Sequence, residues 1–442
     1  MKEELMDINS LTDAQRKEEI KKTRTKAAVS LAAPILAYIV FVFIRTSGGV
    51  VASQATQELG WGPEQVAMFT SIFSYVYSFA NLPGGMLVDR FGGKKLIAFS
   101  YSIMAVGLAI LAFSDSYPLM ILSRALMGFG GAVVFSALSR LIANWTRADQ
   151  YANVNAKVMA ASKIGTFFAA TPLVLMLRAW GRRQSMVYFA IVVVVITVAI
   201  FLLTREDPES CGLYSVDELE GKAHPAPKKA ENPFKGIGKI IIQPQVWLVL
   251  IGSISFNGAI NTFITNWGKT MLSQGAGFES VEATGIINVN TIAGIISGLL
   301  LGTLMRIKGA TPKVMTLISF VLFLTGMGMV AFAMPSLGKL GWDIVFALIG
   351  FGSSIEVTTI YAMLKDQVTV KNFGKVVGLC NFAAWLLGTS VCTTVWGKIV
   401  DAQFSIPSFM NAARFQFAFS VVGFICCILA KAELLPAFKD EA

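Results

Sequence analysis

Twelve uninterrupted apolar runs, each long enough to cross a bilayer, leave this chain few ways to fold. They lie at approximately 28–52, 64–88, 95–113, 118–144, 153–177, 184–204, 245–272, 281–305, 312–334, 341–364, 373–400 and 411–434. A helix needs about 20 apolar residues to span the hydrocarbon core. A transmembrane barrel would instead show alternating segments of about ten residues, and these runs are continuous. With 55% hydrophobic and 14% charged residues in 442, the chain is also too apolar for a water-soluble globule. The expected fold class is an all-α polytopic membrane protein with twelve transmembrane helices.

The amino-terminal tail, 1–27, is polar and lacks the short basic start and small-residue cleavage site of a secretory signal, so nothing is expected to be removed. Ser10-Leu11-Thr12-Asp13 can cap a short surface helix through Ile20, followed by the basic cluster Lys21, Lys22, Arg24 and Lys26. Cations concentrate on the cytoplasmic side of membrane proteins. This cluster therefore places the amino terminus in the cytoplasm, and an even helix count returns the carboxyl terminus there. Arg90, Lys94, Lys95, Arg140, Arg147, Arg306, Lys308, Lys313, Lys365, Lys371 and Lys375 fall on the same face, whereas the opposite loops at 57–65 and 114–117 carry no Lys or Arg. Arg178, Arg182 and Arg183 are the exception. The net charge of +10 thus reads as orientation in a lipid bilayer, not nucleic-acid binding. Between 205 and 244 the hydropathy collapses into a charged stretch with five prolines. The expected organisation is a cytoplasmic tail at 1–27, a six-helix bundle at 28–204, a cytoplasmic linker at 205–244, a second six-helix bundle at 245–434 and a cytoplasmic tail at 435–442.

Charges inside the runs point to function, because an ionised side chain near the bilayer centre costs about 2.5–3.5 kcal/mol on insertion scales. Arg45 lies in helix 1, Arg124 in helix 4, Lys163 in helix 5 and Glu356 in helix 10, while helices 3, 6 and 9 are uncharged through their centres. A rise of about 1.5 Å per residue puts Lys163 near the midplane, Arg45 and Arg124 in the outer half, and Glu356 somewhat inside. Arg45 and Lys163 are expected to bind an anion. Glu356, the one carboxylate well inside a span, either carries a coupling proton or neutralises a buried cation, Lys163 or Arg45. Residues three or four apart share a helix face. Asn257, Asn261 and Thr265, then Asn381, Trp385 and Thr389, then Ser71, Tyr75 and Ser78 accordingly form polar stripes that line a cavity or join helices by hydrogen bonds. Gly294, Gly298 and Gly302 offer a seam for close packing.

No metal site or enzyme is expected, and no cofactor. The single His224 lies in the linker, and Cys211, Cys380, Cys392, Cys426 and Cys427 lack ligand spacing. No acid, base or metal constellation converges.

The turn Gly84-Gly85-Met86-Leu87-Val88-Asp89-Arg90-Phe91-Gly92-Gly93-Lys94-Lys95, set between two membrane-length runs, resembles the loop 2–3 signature of the major facilitator superfamily. Gly302-Thr303-Leu304-Met305-Arg306-Ile307-Lys308-Gly309 copies its glycine spacing after helix 8, with Arg306 where Asp89 stands in the first copy. Arg124-Ala125-Leu126-Met127-Gly128 is similar to the family's helix 4 signature, and this leaves Arg124 open between a structural or proton-related role and that of a ligand group. Phe43-Ile44-Arg45-Thr46-Ser47 looks like the arginine site of anion:cation symporters and organophosphate:phosphate antiporters. The segment 205–213 resembles the stretch after helix 6 in glycerol-3-phosphate antiporters. The resemblance implies two six-helix bundles, with helices 1, 4, 7 and 10 lining a central cavity and helices 3, 6, 9 and 12 facing lipid. Those antiporters use a second arginine in helix 7, where the nearest match is Asn261, so a small carboxylate is favoured over a phosphate ester. Helix 5 lacks the glycine-proline signature of drug antiporters.

The expected function is secondary active transport of a small organic anion by alternating access with proton symport. Anion exchange, with a counter-anion as partner, and a non-transporting receptor are the alternatives. Arg45, Lys163, Tyr75, Asn257, Asn261, Asn381 and Trp385 are the expected binding residues, with Glu356 and Arg124 coupling the ion. Gly85, Asp89, Arg90, Gly92, Lys94, Asp149 and Arg306 are expected to gate the cytoplasmic side, Asp89 meeting the start of helix 11 near 372–375 and Arg306 facing Asp149. A monomer in a prokaryotic cytoplasmic (inner) membrane is expected.

Overall fold

A computed structural model describes residues 12–147, 150–214, 216–219, 237–431, 433–436 and 438. Among them there is no strand. Ten helical stretches are individually long and apolar enough to cross a bilayer. The spans are numbered α1 to α12. α1 comprises Asp13–Thr46 and Gly48–Leu59, α2 Pro63–Asn81 and Gly84–Phe91, α3 Gly93–Phe113, and α4 Tyr117–Gly131 and Val134–Trp145. α5 starts as Tyr151–Phe168 and continues into the helix Thr171–Leu203, which turns at Gly181 (φ +74°), and the part beyond that turn is α6. α7 comprises Pro244–Ile260, Asn261–Asn266, Gly268–Thr270 and Met271–Gly275, α8 is Ser280–Leu304, α9 Pro312–Ala333 and α10 Lys339–Gln367. α11 joins Val370–Ala383, Ala384–Val391 and Cys392–Ile399, and α12 is Ile406–Leu429.

Local chemistry accounts for the ends. Thr12 begins α1 with a reciprocal cap, in which Thr12 N donates to Gln15 Oε1 at 2.9 Å and Gln15 N donates to Thr12 Oγ1. The cap thus sits two residues beyond Ser10, which lies outside the described residues. The tail helix expected to stop near Ile20 instead runs unbroken into the membrane. α12 starts about five residues earlier than the apolar run suggests. Asp401 accepts from Ser405 N at 2.8 Å, Ser405 in turn caps Ser408 N, and Pro407 sits where a missing N–H does no harm. The Ser405 hydrogen bonds hold the Asp401 carboxyl below the usual carboxylate range.

Lipid-facing sides are apolar because the bilayer core offers no hydrogen-bond partner. Ile191, Val194, Val195, Val198, Phe201 and Leu202 of α6 are all exposed. Of the α8 glycines expected to form a seam, Gly294 packs tightly on α10, where a Cβ would lie 3.1 Å from Ser354 Oγ. Contact loosens at Gly298 and is lost at Gly302, which faces open space.

The first six helices and the last six meet mainly at the end away from the termini, here called the far end. Gly49 of α1 lies so close to α7 that a Cβ would stand 2.1 Å from the Thr265 carbonyl, and Gly397 of α11 would place one 2.3 Å from Ala67 Cβ of α2. Hydrogen bonds run along the same seam. Tyr75 and Thr394 hydroxyls are 3.3 Å apart, Thr171 donates to Thr284 at 3.2 Å, and Asn288 donates to Thr171 at 3.1 Å. At the tail end the bonds tie each half to itself, as where Gln367 Nε2 donates to the Gln245 and Lys431 carbonyls at 3.2 and 2.7 Å. The far end is closed.

Candidate functional site

Arg45 sits on the last turn before α1 breaks at Ser47, half-buried between the two halves of the molecule. Its guanidinium lies 5.6 Å from the Phe41 ring centroid on its own helix and 5.3 Å from that of Trp385 on α11. Tyr77 packs on both rings, 5.2 Å from Trp385 and 6.2 Å from Phe41, and Tyr38 completes the cluster at 6.2 Å from Phe41. Aromatic faces attract a cation by about 0.5–2 kcal/mol, but they do not neutralise it. Lys163 on α5 lies within the electrostatic reach of Arg45. Neither cation has an Asp or Glu at ion-pair distance among the described residues. Arg45, half-buried and walled by aromatic rings, with Lys163 two residues before the point where Gly165 of α5 packs against Ile39 and Phe43 of α1, is a positive group that an anion would stabilise.

Among the other expected binding residues, Asn381 accepts a hydrogen bond from Tyr361 OH at 2.6 Å. One turn before Trp385, it shares with Trp385, Tyr77, Ser78, Asn81 and Lys375 the wall of a cavity of about 110 Å³ between α2 and α11. Asn257 and Asn261 do share a face, where Asn261 Nδ2 donates to Asn257 Oδ1 at 2.7 Å and to its carbonyl at 3.0 Å. Tyr75 is placed elsewhere, in the far-end seam with Thr394.

Arg124 is buried, and its Nη1 donates to the Ile44 carbonyl at 3.1 Å while its guanidinium covers Phe73 at 4.7 Å and Phe69 at 5.4 Å. The break at Ser47 takes Ile44 out of the regular ladder, and its carbonyl also accepts from Ser47 Oγ at 2.9 Å. Arg124 thereby anchors the residue next to Arg45. No carboxylate pairs with it among the described residues.

Glu356 corrects one expectation. It is buried, but it makes no ion pair with Lys163 or Arg45, and its Oε1 has no hydrogen-bond partner among the described residues. One turn on, Thr359 bonds Thr316 of α9 at 2.7 Å. This face of α10 is turned into its own bundle.

The loop after α2 is held by a residue the sequence reading passed over. Gly92 takes φ +82°, which a residue with a side chain rarely adopts. The turn aims the N–H groups of Gly93 and Lys94 at the Glu206 carboxylate, 2.8 and 2.9 Å away. Arg140 Nε lies 3.3 Å from the same group. A carboxylate at a helix start is favoured by the unpaired N–H groups and the dipole. Arg90 is exposed over Phe91 at 5.3 Å, and Arg306 is exposed without an ion pair among the described residues. The backbone of Gly85 and Asp89 is helical. The Asp89 side chain and Asp149 lie outside the described residues, and with them both expected latches, as does His224. At the far end, the out-of-place cations are paired. Arg182 binds Asp115 and Glu58 (3.4 Å) and donates to the Leu111 carbonyl at 2.9 Å, Arg183 lies 3.7 Å from Asp115, and Arg178 lies 3.7 Å from Glu279.

Besides Glu206, the sequence reading missed Tyr77 and Lys269. Tyr77 sits on the aromatic face beside the polar stripe through Tyr75. Lys269 falls within the seventh run next to Trp267, and a lone lysine in an apolar run is the signal that could have found it.

An all-helical fold of twelve spans, with two bundles that meet at one end, is the architecture of a membrane transporter. The sequence profile of the Major Facilitator Superfamily matches residues 34–393, and the chain belongs to that family. It is 20% identical over 389 residues to the probable sulfoacetate transporter SauU of Cupriavidus necator, covering 86% of this chain and 89% of that protein. It is 22% identical over 414 residues to the glycerol-3-phosphate transporter of Bacillus subtilis, covering 89% and 90%. The fold matches a bacterial homolog of the human lysosomal transporter Spinster, solved inward-facing and unoccupied, with a TM-score of 0.72, 16% identity and coverage of 93% and 99%.

Proposed function

We propose that this protein carries a small organic anion bearing a carboxylate across a prokaryotic inner membrane by alternating access, with a proton as the coupled ion. The observation that carries the reading is the pair Arg45 and Lys163, two half-buried cations with no Asp or Glu at ion-pair distance among the described residues. The anion binds against both. In this reading the termini and the 205–244 linker are cytoplasmic, the far end faces outward, the bundles at 28–204 and 245–434 rock about the site, and the single chain is the working unit. Glu356 is the coupling residue. An ionised carboxylate buried without a cation is expensive, which suits a group that crosses the cycle carrying a proton. Because it does not touch Arg45, the two communicate through packed neighbours. Tyr361, five residues on from Glu356 along α10, donates its hydroxyl to Asn381 at 2.6 Å, and Asn381 lies one turn from Trp385, on which Arg45 rests. Anion binding that pulls Arg45 off Trp385 would be felt at Glu356, and linkage makes the effect reciprocal.

Counterflow in proteoliposomes loaded with sulfoacetate, glucarate or glycerol-3-phosphate identifies the substrate class. Glu356→Gln mimics the protonated state and is expected to keep exchange while losing accumulation driven by a pH gradient. If it still concentrates substrate with only a proton gradient, Glu356 is not the coupling residue.

A further inference from the structure

The closed far end holds a lysine that the central site does not use. Lys269 of α7 is only 1% exposed, yet it sits in the seam between the halves and donates to Ser53 Oγ of α1 at 3.2 Å. Ser53 Oγ lies 3.5 Å from Ser273 Oγ, one turn further along α7. No carboxylate reaches Lys269 at ion-pair distance among the described residues. Arg178 at the end of α5 is half-exposed and 3.7 Å from Glu279, so it is already paired. An ammonium that has given up its hydration for one neutral hydroxyl is poorly stabilised. The arrangement lasts only while Gly49 is pressed on the Thr265 carbonyl and Gly397 on Ala67. Lys269 and Ser273 both stand on the α7 side of this contact, so parting α1 from α7 would take Ser53 away from them.

We infer that Lys269 is a second anion-binding position, which takes the transported anion when the far end is open and gives it up as the end closes. A cation and a hydroxyl suit a carboxylate, sulfonate or phosphate group. Eight residues of helix separate Lys269 from Asn261, about 12 Å at 1.5 Å each, so it lies beyond the central cluster on the path from the far side. Closing the seam with the anion still on Lys269 would bury it short of Arg45. The hydroxyl of Ser53 replaces it at closure, and this hands the anion inward. The inference rests on an anionic substrate arriving from the far side.

The test reads Lys269 directly and needs no transport. The full chain in proteoliposomes is acylated with an impermeant sulfonated succinimidyl ester, and Lys269 modification is quantified by peptide mass spectrometry. Gly397→Leu, and independently Gly49→Leu, prop the far end open and are expected to raise modification about tenfold or more over wild type. In these propped variants sulfoacetate or glycerol-3-phosphate should slow modification about threefold or more, with glycerol inert. Adding Arg45→Gln should leave the protection in place. Equal modification in wild type and both propped variants, protection by inorganic sulfate but by neither organic anion, no protection at all, or protection that vanishes with Arg45→Gln would each overturn the inference. Counterflow by wild type and by Arg45→Gln judges the central site separately.

Discussion

Gly397→Ala adds one methyl group where the far end is tightest. The new Cβ would stand 2.3 Å from Ala67 Cβ and 3.1 Å from the Pro63 carbonyl oxygen. Apolar carbons rest at about 3.5–4.0 Å, so α2 and α11 must separate locally by about 1.5 Å. Neither opposing group can swing aside, since one is a Cβ and the other is backbone. Overpacking of this kind costs about 1–3 kcal/mol. Because the strain exists only with the far end shut, it acts on the equilibrium between states and not on the fold, moving it by about 5- to 150-fold toward the open form. Spin labels at Gln57 on α1 and Glu282 on α8, read by pulsed dipolar spectroscopy, should show a longer-distance population growing in the variant while thermal unfolding stays near wild type. Gly302→Ala, facing open space, is the control and should leave the distribution unchanged. An unaltered distance distribution in Gly397→Ala, or an equal change in Gly302→Ala, would refute the assignment of this contact as the far-end closure.

Trp385→Ala removes the ring under Arg45 and the partner of Tyr77, so the substrate KM should rise about three- to thirtyfold from lost positioning, with Trp385→Phe milder in the same uptake assay. Arg124→Gln removes one of the two donors to the Ile44 carbonyl and leaves a cation-shaped hole beside Phe73, for a loss of about 1–3 kcal/mol, seen as a lower Tm in detergent that Arg124→Lys does not restore because the planar fork is gone. Asp401 has its folded-state pKa depressed by Ser405, so its contribution is present above the unfolded value of about 3.9 and is lost as pH falls through the folded one. The Tm gap between wild type and Asp401→Asn should therefore hold at neutral pH and shrink below about pH 4. Constancy of that gap down to the acid limit would show that Asp401 does not cap α12.

The polar stripes show where sequence reasoning reached its limit. Asn257 and Asn261 share the face their spacing predicts because the first 17 residues of α7 form a regular helix. Beyond them, Asn261–Asn266 and Ala384–Val391 wind as wide π turns. Each such turn adds a residue and rotates the remainder of the helix. Spacing of four therefore stops meaning a shared face, and Thr389 ends up buried with its hydroxyl unpartnered while Trp385 faces Arg45.

By itself the sequence determined that this chain crosses the membrane as twelve helices, that it belongs to the facilitator family, and that Arg45 and Lys163 are the cations to explain. Those conclusions rest on terms that act locally: the transfer of about 20 residues into lipid and the penalty on a buried charge wherever it sits. Partners are a property of packing, and only the tertiary structure decided them. It turned Glu356 into its own bundle and away from Lys163, tied Arg124 to the carbonyl freed by the break in α1, and gave the loop glycines a carboxylate from 113 residues away. It also buried Lys269 in a seam between halves that are joined in sequence by no local contact. Which face of a helix meets which neighbour depends on crossing angle, close approach and local winding, and none of these is written in the spacing of one segment.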